Sequence, residues 1–289
     1  MKIAVNAYAK INLFLDITGV NDIGYHLLDS IMQSVTLCDG VEVERNSSGE
    51  IIIICDNPDI PCDERNIAHK AARLFFEKIG CADRGVTIKI KKVIPHQAGL
   101  GGGSADGAGV LVALNELYGA GLSQDALCEI GVRVGADVPF CIVGGTKRAQ
   151  GIGEKFTDLP PMSHCSIVIA KPEFGVSTAQ AYADYDAIVN PNRLNISTAL
   201  SAIENQDVAC LASGLYNAFE QVVKNEEVAE IKSAMARCGA LGSLMSGSGS
   251  AIFALFDNDA SAALCADALR AMNIRAYLCA PSSAGCEIL

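Results

Sequence analysis

The sequence predicts an α+β protein, because strand-like and helix-like segments are mixed along the chain without strict alternation. Two observations carry this prediction. Residues 2–17 alternate in polarity over an unusual length, which is typical of one long strand or of two strands end to end. Residues 104–118 have the length and small-residue content of a packed helix, and they follow a glycine-rich turn. With 289 residues, the chain suits one large domain or two moderate ones that share a cleft.

The remaining elements follow from local periodicity and from capping residues. Further strands are predicted at residues 41–45, 51–55, 86–93, 165–170, 251–256 and 275–278. Further helices are predicted at residues 66–79, 124–134 (with Ser123 as the N-cap), 178–185, 207–224, 228–238 and 260–272.

Glycine and proline mark the interruptions. A turn is expected at residues 24–26, a break after the 124–134 helix at residues 135–140, and a flexible stretch where glycines recur between residues 144 and 153. Two adjacent prolines at positions 160 and 161 indicate a boundary. We therefore expect an N-terminal domain over residues 1–158 and a C-terminal domain over residues 159–289, with a cleft between them.

Composition excludes several classes of protein. Half of the residues are hydrophobic and 19% are charged, which is ordinary for a globular protein and unlike a disordered one. The net charge of −11 disfavours a nucleic-acid or anionic-membrane binder, because those partners require a basic surface. No apolar run approaches the roughly 20 residues that a membrane span requires. Since the first residues are strand-like rather than signal-like, we expect a cytoplasmic protein, either a monomer or a weak homodimer.

Twelve cysteines are scattered along the chain, and no two of them form a CxxC pair. The four histidines do not cluster with them at the spacing of a metal site. Several cysteines lie in apolar runs, as Cys141 does between Phe140 and Ile142, and such cysteines are typical of small hydrophobic core residues. We therefore expect free thiols in a reducing compartment.

The strongest local signal is the segment Pro95-His-Gln-Ala-Gly-Leu-Gly-Gly-Gly-Ser104, between a predicted strand and a predicted helix. Glycines let a backbone approach a ligand and adopt positive φ, and a helix N-terminus beside them suits an anion. The segment matches neither the Walker pattern nor GxGxxG, so a lysine for the phosphates must come from elsewhere. A plain turn would need only one or two glycines, and phosphate binding is therefore favoured.

Three further features could carry chemistry. Lys10 lies in an apolar strand with Asn12 on the same face; it either meets a negative partner or lies exposed on an edge strand. Asp137 lies where the 124–134 helix has ended, and is either a helix cap or a base. The Gly/Ser segment at residues 245–250 is either a hairpin turn or a phosphate-facing loop.

Together these segments resemble the GHMP kinases, which include galactokinase, homoserine kinase and mevalonate kinase. The family has an N-terminal strand with a lysine, a central P-x-x-x-G-L-G-G-G-S loop and a C-terminal Gly/Ser loop, and all three occur here in that order. Four segments resemble one member whose acceptor carries a cytidine diphosphate group: residues 7–15, 24–26, 135–140 and 151–154. The resemblance implies a ribosomal protein S5 domain 2-like N-terminal domain, a ferredoxin-like C-terminal domain, and ATP with Mg²⁺ as phosphoryl donor.

The resemblance also implies a role for each site residue, although it assigns no metal ligand. Lys10 and Asp137 would be catalytic: Asp137 would take the proton of the attacking hydroxyl, while Lys10 would keep Asp137 ionised and offset phosphoryl charge. The residues that bind ATP would be Pro95, Gly99, Leu100, Gly101, Gly102, Gly103, Ser104 and Ala105. The residues that bind the acceptor would be Asn12, Tyr25, His26, Thr178 and Tyr182, with Tyr25 and Tyr182 stacking on the cytosine and His26 pairing with its edge.

One departure from the family pattern is Gly107, which places a glycine in the predicted helix at a cost of about 1 kcal/mol in helix propensity. Three alternatives remain. Homoserine or mevalonate kinase would offer no base to His26 and Tyr182. A dinucleotide-binding oxidoreductase needs an acidic residue at a strand end about 20 residues past the glycines, but Glu116 falls inside the predicted helix. An inactive binding module would not need Lys10 and Asp137.

Overall fold

Two β-sheets organise the chain, and the α+β class is confirmed. The structure, a computed structural model, describes residues 1–81 and 84–289. The first half contains β1 (Lys2–Val20), β2 (His26–Arg45), β3 (Ile51–Cys55), α1 (Ile67–Ile79), β4 (Val86–Lys91), α2 (Gly102–Tyr118), α3 (Gln124–Val134), α4 (Val138–Val143), β5 (Thr146–Gly151) and β6 (Lys155–Asp158).

The second half is richer in helices. It contains β7 (Ser166–Lys171), α5 (Thr178–Asp186), α6 (Ser197–Glu204), α7 (Val208–Ser213), β8 (Tyr216–Asn217), a short 3₁₀ helix (Ala218–Gln221), α8 (Glu226–Arg237), β9 (Gly242–Met245), β10 (Ile252–Phe256), α9 (Asp259–Ala271), β11 (Arg275–Cys279), β12 (Pro281–Ser282) and β13 (Cys286–Ile288).

The first sheet is built around a long antiparallel hairpin of β1 and β2, in the strand order β13-β1-β2-β4-β3. One end of β2 pairs with β4 and the other end with β5, which forms a hairpin with β6. The second sheet is antiparallel in the order β11-β7-β10-β9. Because β8 and β13 pair with β1, the second half of the chain returns to the first sheet. The domain limits of 1–158 and 159–289 stay a prediction.

β1 carries polar side chains into the middle of the molecule. It is one strand, but register shifts after Tyr8, Asn12 and Ile17 interrupt the predicted alternation. Residues 9–17 are buried throughout, because helix α2 packs on the strand and the second half of the chain also packs against it. Lys10 is therefore buried within a strand that is covered on both faces, and the exposed edge-strand interpretation is wrong.

Helices α1 and α3 begin where their capping residues predict. Asn66 accepts a hydrogen bond from the Ala68 amide, and Ser123 accepts one from the Ala126 amide. Helix α2 begins at Gly102, two residues earlier than expected, so the last glycines of the turn form its first turn. Gly107 has a packing reason in α2, since a Cβ atom there would lie 2.9 Å from Cγ2 of Ile67 in α1.

Several sequence-based expectations are wrong, and tertiary pairing is the common cause. The predicted strand at 41–45 is only the end of β2, whose first part mixes polar and apolar residues without strict alternation and pairs with β1 and β5. The expected flexible stretch between 144 and 153 contains β5, because pairing with β2 and β6 orders it. The predicted helix at 207–224 ends at Ser213, where the chain pairs with β1 through β8. The predicted break of the 124–134 helix is confirmed, since α3 ends at Val134, and the expected interval also contains the start of α4 at Val138.

No disulfide bond joins any of the twelve cysteines, all of which lie within the described residues. Within the part of the chain that the structure describes, no helix has both the length and the apolarity to cross a membrane.

The return of the C-terminus to the first sheet depends on a tight backbone contact at Gly285. The Tyr8 amide donates to the Gly285 carbonyl oxygen, and a Cβ atom at Gly285 would lie 2.1 Å from the carbonyl oxygen of Cys141 in α4. We expect Gly285→Ala to lower the free energy of unfolding by about 1–3 kcal/mol, since backbone atoms must move apart.

Urea denaturation measures this loss, with Gly19→Ala as the matched control. A Cβ atom at Gly19 meets no atom within 4 Å, so that variant should unfold like the wild type. Equal midpoints for the two variants would contradict the tight packing at Gly285.

Candidate active site

The glycine turn lies directly above the buried part of β1. The Lys10 amide donates to the Leu100 carbonyl oxygen at 3.0 Å, which fixes the turn against the strand. Gly99 and Gly101 adopt positive φ values of 73° and 71°, a region that side chains disfavour. Helix α2 starts immediately after Gly101 without a side-chain cap. The first amides of α2 lack intrahelical acceptors by geometry, so this end of the helix suits phosphate.

A loop of the second half closes over the glycine turn. Residues 246–251 connect the antiparallel strands β9 and β10, so this Gly/Ser segment is a hairpin connection that also faces the site. The Ser246 hydroxyl donates to the Gly99 carbonyl oxygen at 2.9 Å and accepts from the backbone amide of Asn12 at 3.3 Å. A Cβ atom at Gly99 would lie 2.0 Å from the Ser246 carbonyl oxygen, so only glycine permits this approach.

Lys10 and Asp137 meet beside this turn. The Lys10 ammonium lies 3.5 Å from Oδ2 of Asp137 and donates to Oδ1 of Asn12 at 2.7 Å. Nδ2 of Asn12 in turn donates to the Ser30 hydroxyl at 2.9 Å, so both polar atoms of the Asn12 side chain are hydrogen-bonded. Asp137 occupies the N-cap position of α4, but its side chain makes no capping hydrogen bond. The half-exposed carboxylate is therefore free to act on a ligand.

Two cavities meet at the glycine turn. The larger, of about 590 Å³, contains Lys10 and Asp137 at one end and His26 and Tyr182 at the other. The second, of about 380 Å³, extends from the turn along Pro95, Ile67 and Ile60. The residues that line both are Gln97, Gly99, Gly101 and Ser104. Ligands in the two cavities would therefore approach each other beside Lys10.

The far end of the larger cavity is aromatic. The rings of His26 and Tyr182 stack with their centroids 4.2 Å apart, and Tyr182 also packs edge-on against Phe219. His26 Nε2 lies 2.9 Å from Oδ1 of Asp186, the last residue of α5. Burial, with a smaller contribution from the charge of Asp137, raises the pKa of Tyr182 to about 12, so its hydroxyl stays protonated. A base does not fit between His26 and Tyr182 in this arrangement.

Nearly all of the predicted site residues line these cavities. The larger cavity includes Lys10, Asn12, Tyr25, His26, Gly99, Gly101, Ser104, Asp137, Thr178 and Tyr182. The second adds Pro95, Leu100, Gly102 and Gly103. Ala105 lines neither, because it is fully buried and its amide donates to Gly101. Tyr25 is 58% exposed at the mouth.

Sequence reasoning missed several residues that organise the site. Ser246 joins the two loops, Ser248 bonds to the Thr178 hydroxyl at 2.8 Å, and Asp186 holds His26. Gln97 adopts a positive φ of 50° where the cavities meet. A buried cluster of Lys92 with two aspartates underlies the turn. Only the Gly/Ser composition around Ser246 gave a usable signal, since the others depend on long-range pairing.

No set of three or more His, Cys, Asp or Glu side chains within residues 1–81 and 84–289 is arranged to hold a metal ion. The metal ligands, which the sequence left unassigned, stay unassigned.

A glycine-built anion site and a separate acceptor cavity that meet beside a lysine and an aspartate define an enzyme that transfers a phosphoryl group between two ligands. The comparisons identify the family. The family model described as the GHMP kinases N terminal domain matches residues 66–145, and the GHMP kinases C terminal model matches residues 199–275. The chain belongs to the GHMP kinase family.

Relatives with curated names are similar over nearly the whole chain. A 4-diphosphocytidyl-2-C-methyl-D-erythritol kinase of Clostridium beijerinckii is 43% identical over 92% of this chain and 95% of its own length. The enzyme with the same name from Acetivibrio thermocellus is 43% identical over 93% of this chain and 95% of its own length. A crystal structure of 4-(cytidine 5'-diphospho)-2C-methyl-D-erythritol kinase matches with a TM-score of 0.81 and 33% identity, covering 98% of this chain and 99% of that one.

Homoserine kinase of Cytophaga hutchinsonii shares the fold, with a TM-score of 0.76 at 21% identity over 100% of this chain and 97% of that one. The predicted family, fold and kinase class are therefore confirmed. The oxidoreductase alternative is wrong, because the chain belongs to a kinase family. Glu116, the acidic residue that this alternative would need at a strand end, lies within helix α2.

The contact between Gly99 and Ser246 predicts a specific sensitivity. We expect Gly99→Ala to weaken ATP binding by at least about tenfold, because the new methyl group would separate the two loops and also strain a positive φ. Isothermal titration calorimetry measures the binding constant.

Gly121→Ala is the matched control, since Gly121 has a φ of 62° but open space around a Cβ atom. That variant carries a similar backbone penalty and should bind ATP like the wild type. If the two variants bound ATP equally well, the loop contact would not matter for the nucleotide.

Proposed function

We propose that this kinase phosphorylates the 2-hydroxyl group of 4-diphosphocytidyl-2-C-methyl-D-erythritol with ATP, a step of non-mevalonate isoprenoid precursor synthesis. One observation carries the proposal: a single cavity is lined both by Lys10 and Asp137 and by His26 and Tyr182, and His26 pairs with Val20, ten residues along β1 from Lys10. Such a cavity suits an acceptor with a hydroxyl at one end and a nucleobase at the other. The names of the relatives agree with this acceptor.

The donor would bind by its phosphates at the glycine turn, with its base in the second cavity. The amides of residues 102–104 and the positive end of α2 would stabilise the α- and β-phosphates. Mg²⁺ would be held mainly by the phosphate oxygens and water, as is usual for this ion with nucleotides, and would neutralise charge that develops during transfer.

The transfer would run in line between the two cavities. Asp137 would accept the proton as the acceptor oxygen forms its bond to the γ-phosphorus, while the bond from that phosphorus to the bridging oxygen breaks and ADP leaves. Lys10, held by Asn12 and close to Asp137, would offset charge on the moving phosphoryl group. The burial of Lys10 strengthens this effect, because little water screens its charge.

His26 would read the base. If Nε2–H donates to Asp186, the neutral ring presents Nδ1 as a hydrogen-bond acceptor. An acceptor matches the exocyclic amine of cytosine and opposes the carbonyl oxygen that uracil has at that position. The base would replace His26 as the stacking partner of Tyr182, while the exposed Tyr25 would cover its other face.

The decisive assay measures ATP-dependent phosphorylation of a panel: the cytidine diphosphate methylerythritol, homoserine and mevalonate. We expect turnover of the first alone, because only that acceptor fills the aromatic end. Turnover of homoserine or mevalonate without the first would overturn the proposed acceptor while leaving the kinase class intact.

Asp137→Asn tests the proposed base. The amide keeps the shape of the side chain but accepts no proton, so we expect kcat to fall by about 10²–10⁴-fold. ATP binding, measured by calorimetry, should change little, because Asp137 lies on the acceptor side of the turn. Wild-type turnover in this variant would remove Asp137 from the mechanism.

Asp186→Asn tests how the base is read. Asparagine can turn either its oxygen or its NH₂ group toward His26, so it no longer selects one tautomer of the ring. The preference for the cytidine over the uridine form of the substrate should therefore drop by about tenfold in kcat/KM. Asp184→Asn is the control, since Asp184 lies in the same helix and bonds to Gln180 instead. An unchanged preference in Asp186→Asn would show that His26 is oriented in some other way.

A further inference from the structure

A buried cluster of three charged side chains lies beneath the glycine turn. The Lys92 ammonium donates to Oδ2 of Asp39 in β2 and, at 2.7 Å, to Oδ2 of Asp106 in α2. The three side chains are at most 5% exposed. The cluster thus joins β2, the segment after β4 and the helix that begins at the glycine turn.

The cluster contains two carboxylates and one ammonium, so with both carboxylates ionised it would carry a buried net charge of −1. One bound proton makes it neutral, which burial strongly favours.

The hydrogen bonds differ between the two carboxylates. Oδ1 of Asp39 accepts from the amides of Val93 and Ile94 at 2.6 and 2.8 Å, and its Oδ2 accepts from Lys92. Such donors stabilise an ionised carboxylate. Oδ1 of Asp106, in contrast, is buried and has no hydrogen-bond partner among the described residues. The proton therefore belongs on Asp106.

Electrostatics agree with this assignment. Burial raises the pKa of Asp106 to about 8; the nearby Lys92 opposes this rise and the charge of Asp39 adds to it. Burial alone would lower the pKa of Lys92, but the two carboxylates outweigh it and the net pKa is raised, so Lys92 stays charged.

Arg65 and His96 line the same cavity as Asp106, and thiols of β3, α4 and β13 also interact electrostatically with Asp106. Burial raises the pKa of Cys55, raises that of Cys141 well above its usual value, and raises that of Cys286 to about 12. These thiols stay mostly neutral near pH 8, so Asp106 is the group of the cluster that changes charge there.

The cluster is close enough to the glycine turn to influence what binds there. A Cβ atom at Gly102 would lie 3.4 Å from the Lys92 ammonium, and both Lys92 and Asp106 line the second cavity. Asp106 follows Ser104 by two residues in the same helix. Charge at this depth is poorly screened by water.

We propose that Asp106 is a positioning residue that must carry a proton for nucleotide phosphates to bind at the glycine turn, so that ATP binding is coupled to proton uptake. An ionised Asp106 places an unbalanced negative charge beneath a site for a polyanion. A protonated Asp106 leaves Lys92 and Asp39 balanced and the helix N-terminus free to attract phosphate. The inference rests on the proposed binding of ATP at this turn.

Calorimetric titration of the wild-type chain with ATP provides the first test. Between about pH 7 and about pH 9 the phosphates of ATP are already ionised, since their last pKa lies near 6. We expect about tenfold weaker binding at pH 9 than at pH 7, as follows from one proton and a pKa near 8. At pH 9, titrations in buffers of different ionisation enthalpy should show uptake of close to one proton per ATP.

Asp106→Asn is the test variant, because asparagine has the shape of the protonated carboxyl group. It should lose the pH dependence and bind ATP at pH 9 about tenfold more tightly than the wild type. His96→Gln, which removes another titratable group of the same cavity, should keep the wild-type dependence. Equal pH slopes in the wild type and Asp106→Asn would overturn the proposal.

Thermal unfolding gives a readout that needs no nucleotide. A carboxyl group whose pKa is raised on folding binds a proton in the folded state that the unfolded state has released. Stability therefore falls as pH rises between the two pKa values, from about 4 to about 8. As pH rises over this range, the Tm of the wild type should fall relative to that of Asp106→Asn. Asp39→Asn should instead unfold at a lower temperature than the wild type at every pH in this range. Its new NH₂ group would face Lys92 or the backbone amides of Val93 and Ile94, which are all donors.

The outcomes separate the two proposals. ATP binding without proton uptake would overturn the role of Asp106 and leave the proposed kinase reaction intact. A complete lack of ATP binding at both pH values would overturn the proposed function, and with it this inference.

Discussion

The approach of Gly99 to Ser246 is the contact on which the rest of the site depends. It brings the loop between β4 and α2 against the loop between β9 and β10, at a distance that a single Cβ atom would prevent. The Ser246 hydroxyl adds two hydrogen bonds, since it donates to the Gly99 carbonyl oxygen and accepts from the backbone amide of Asn12. Because the Asn12 side chain also accepts a hydrogen bond from the Lys10 ammonium, this one backbone contact fixes the turn, the position of Lys10 and the junction of the two cavities.

The protein is acidic overall and still prepares a place for a polyanion. Three local features provide it: the N-terminus of α2, the buried ammonium group of Lys10, and the buried ion pairs of Lys92 with two aspartates. Burial gives these charges their effect, since a surface cation would be screened within about 10 Å by salt. The same burial makes each of them depend on a partner, which explains why Lys10 and Lys92 each lie close to carboxylates.

Local patterns in the sequence were sufficient for the glycine turn, the capped helices and the lysine strand. They failed where a residue gains its role from a distant part of the chain. The first part of β2 lacks strict alternation of polar and apolar residues, and its strand structure comes from pairing with β1 and β5. Asp186 ends a helix like many aspartates, and its contact with His26 of β2 is visible only in the fold. Asp39 and Lys92 are 53 residues apart, and no spacing rule connects them. The motif predicted Asp137, but only the fold showed that its side chain is not used as a cap.

The two ends of the site are built from different materials. The end at the glycine turn consists of backbone: positive φ angles, helix amides and a close contact that requires glycine at position 99. The end at His26 consists of side chains, since the His26 ring stacks on Tyr182 and contacts Asp186. Backbone geometry persists when the sequence diverges, and homoserine kinase and a mevalonate kinase of Methanococcus jannaschii share this fold at 21% and 16% identity. Under the proposed function, a different acceptor would require other side chains around His26 and Tyr182, whereas the backbone of the glycine turn could stay the same.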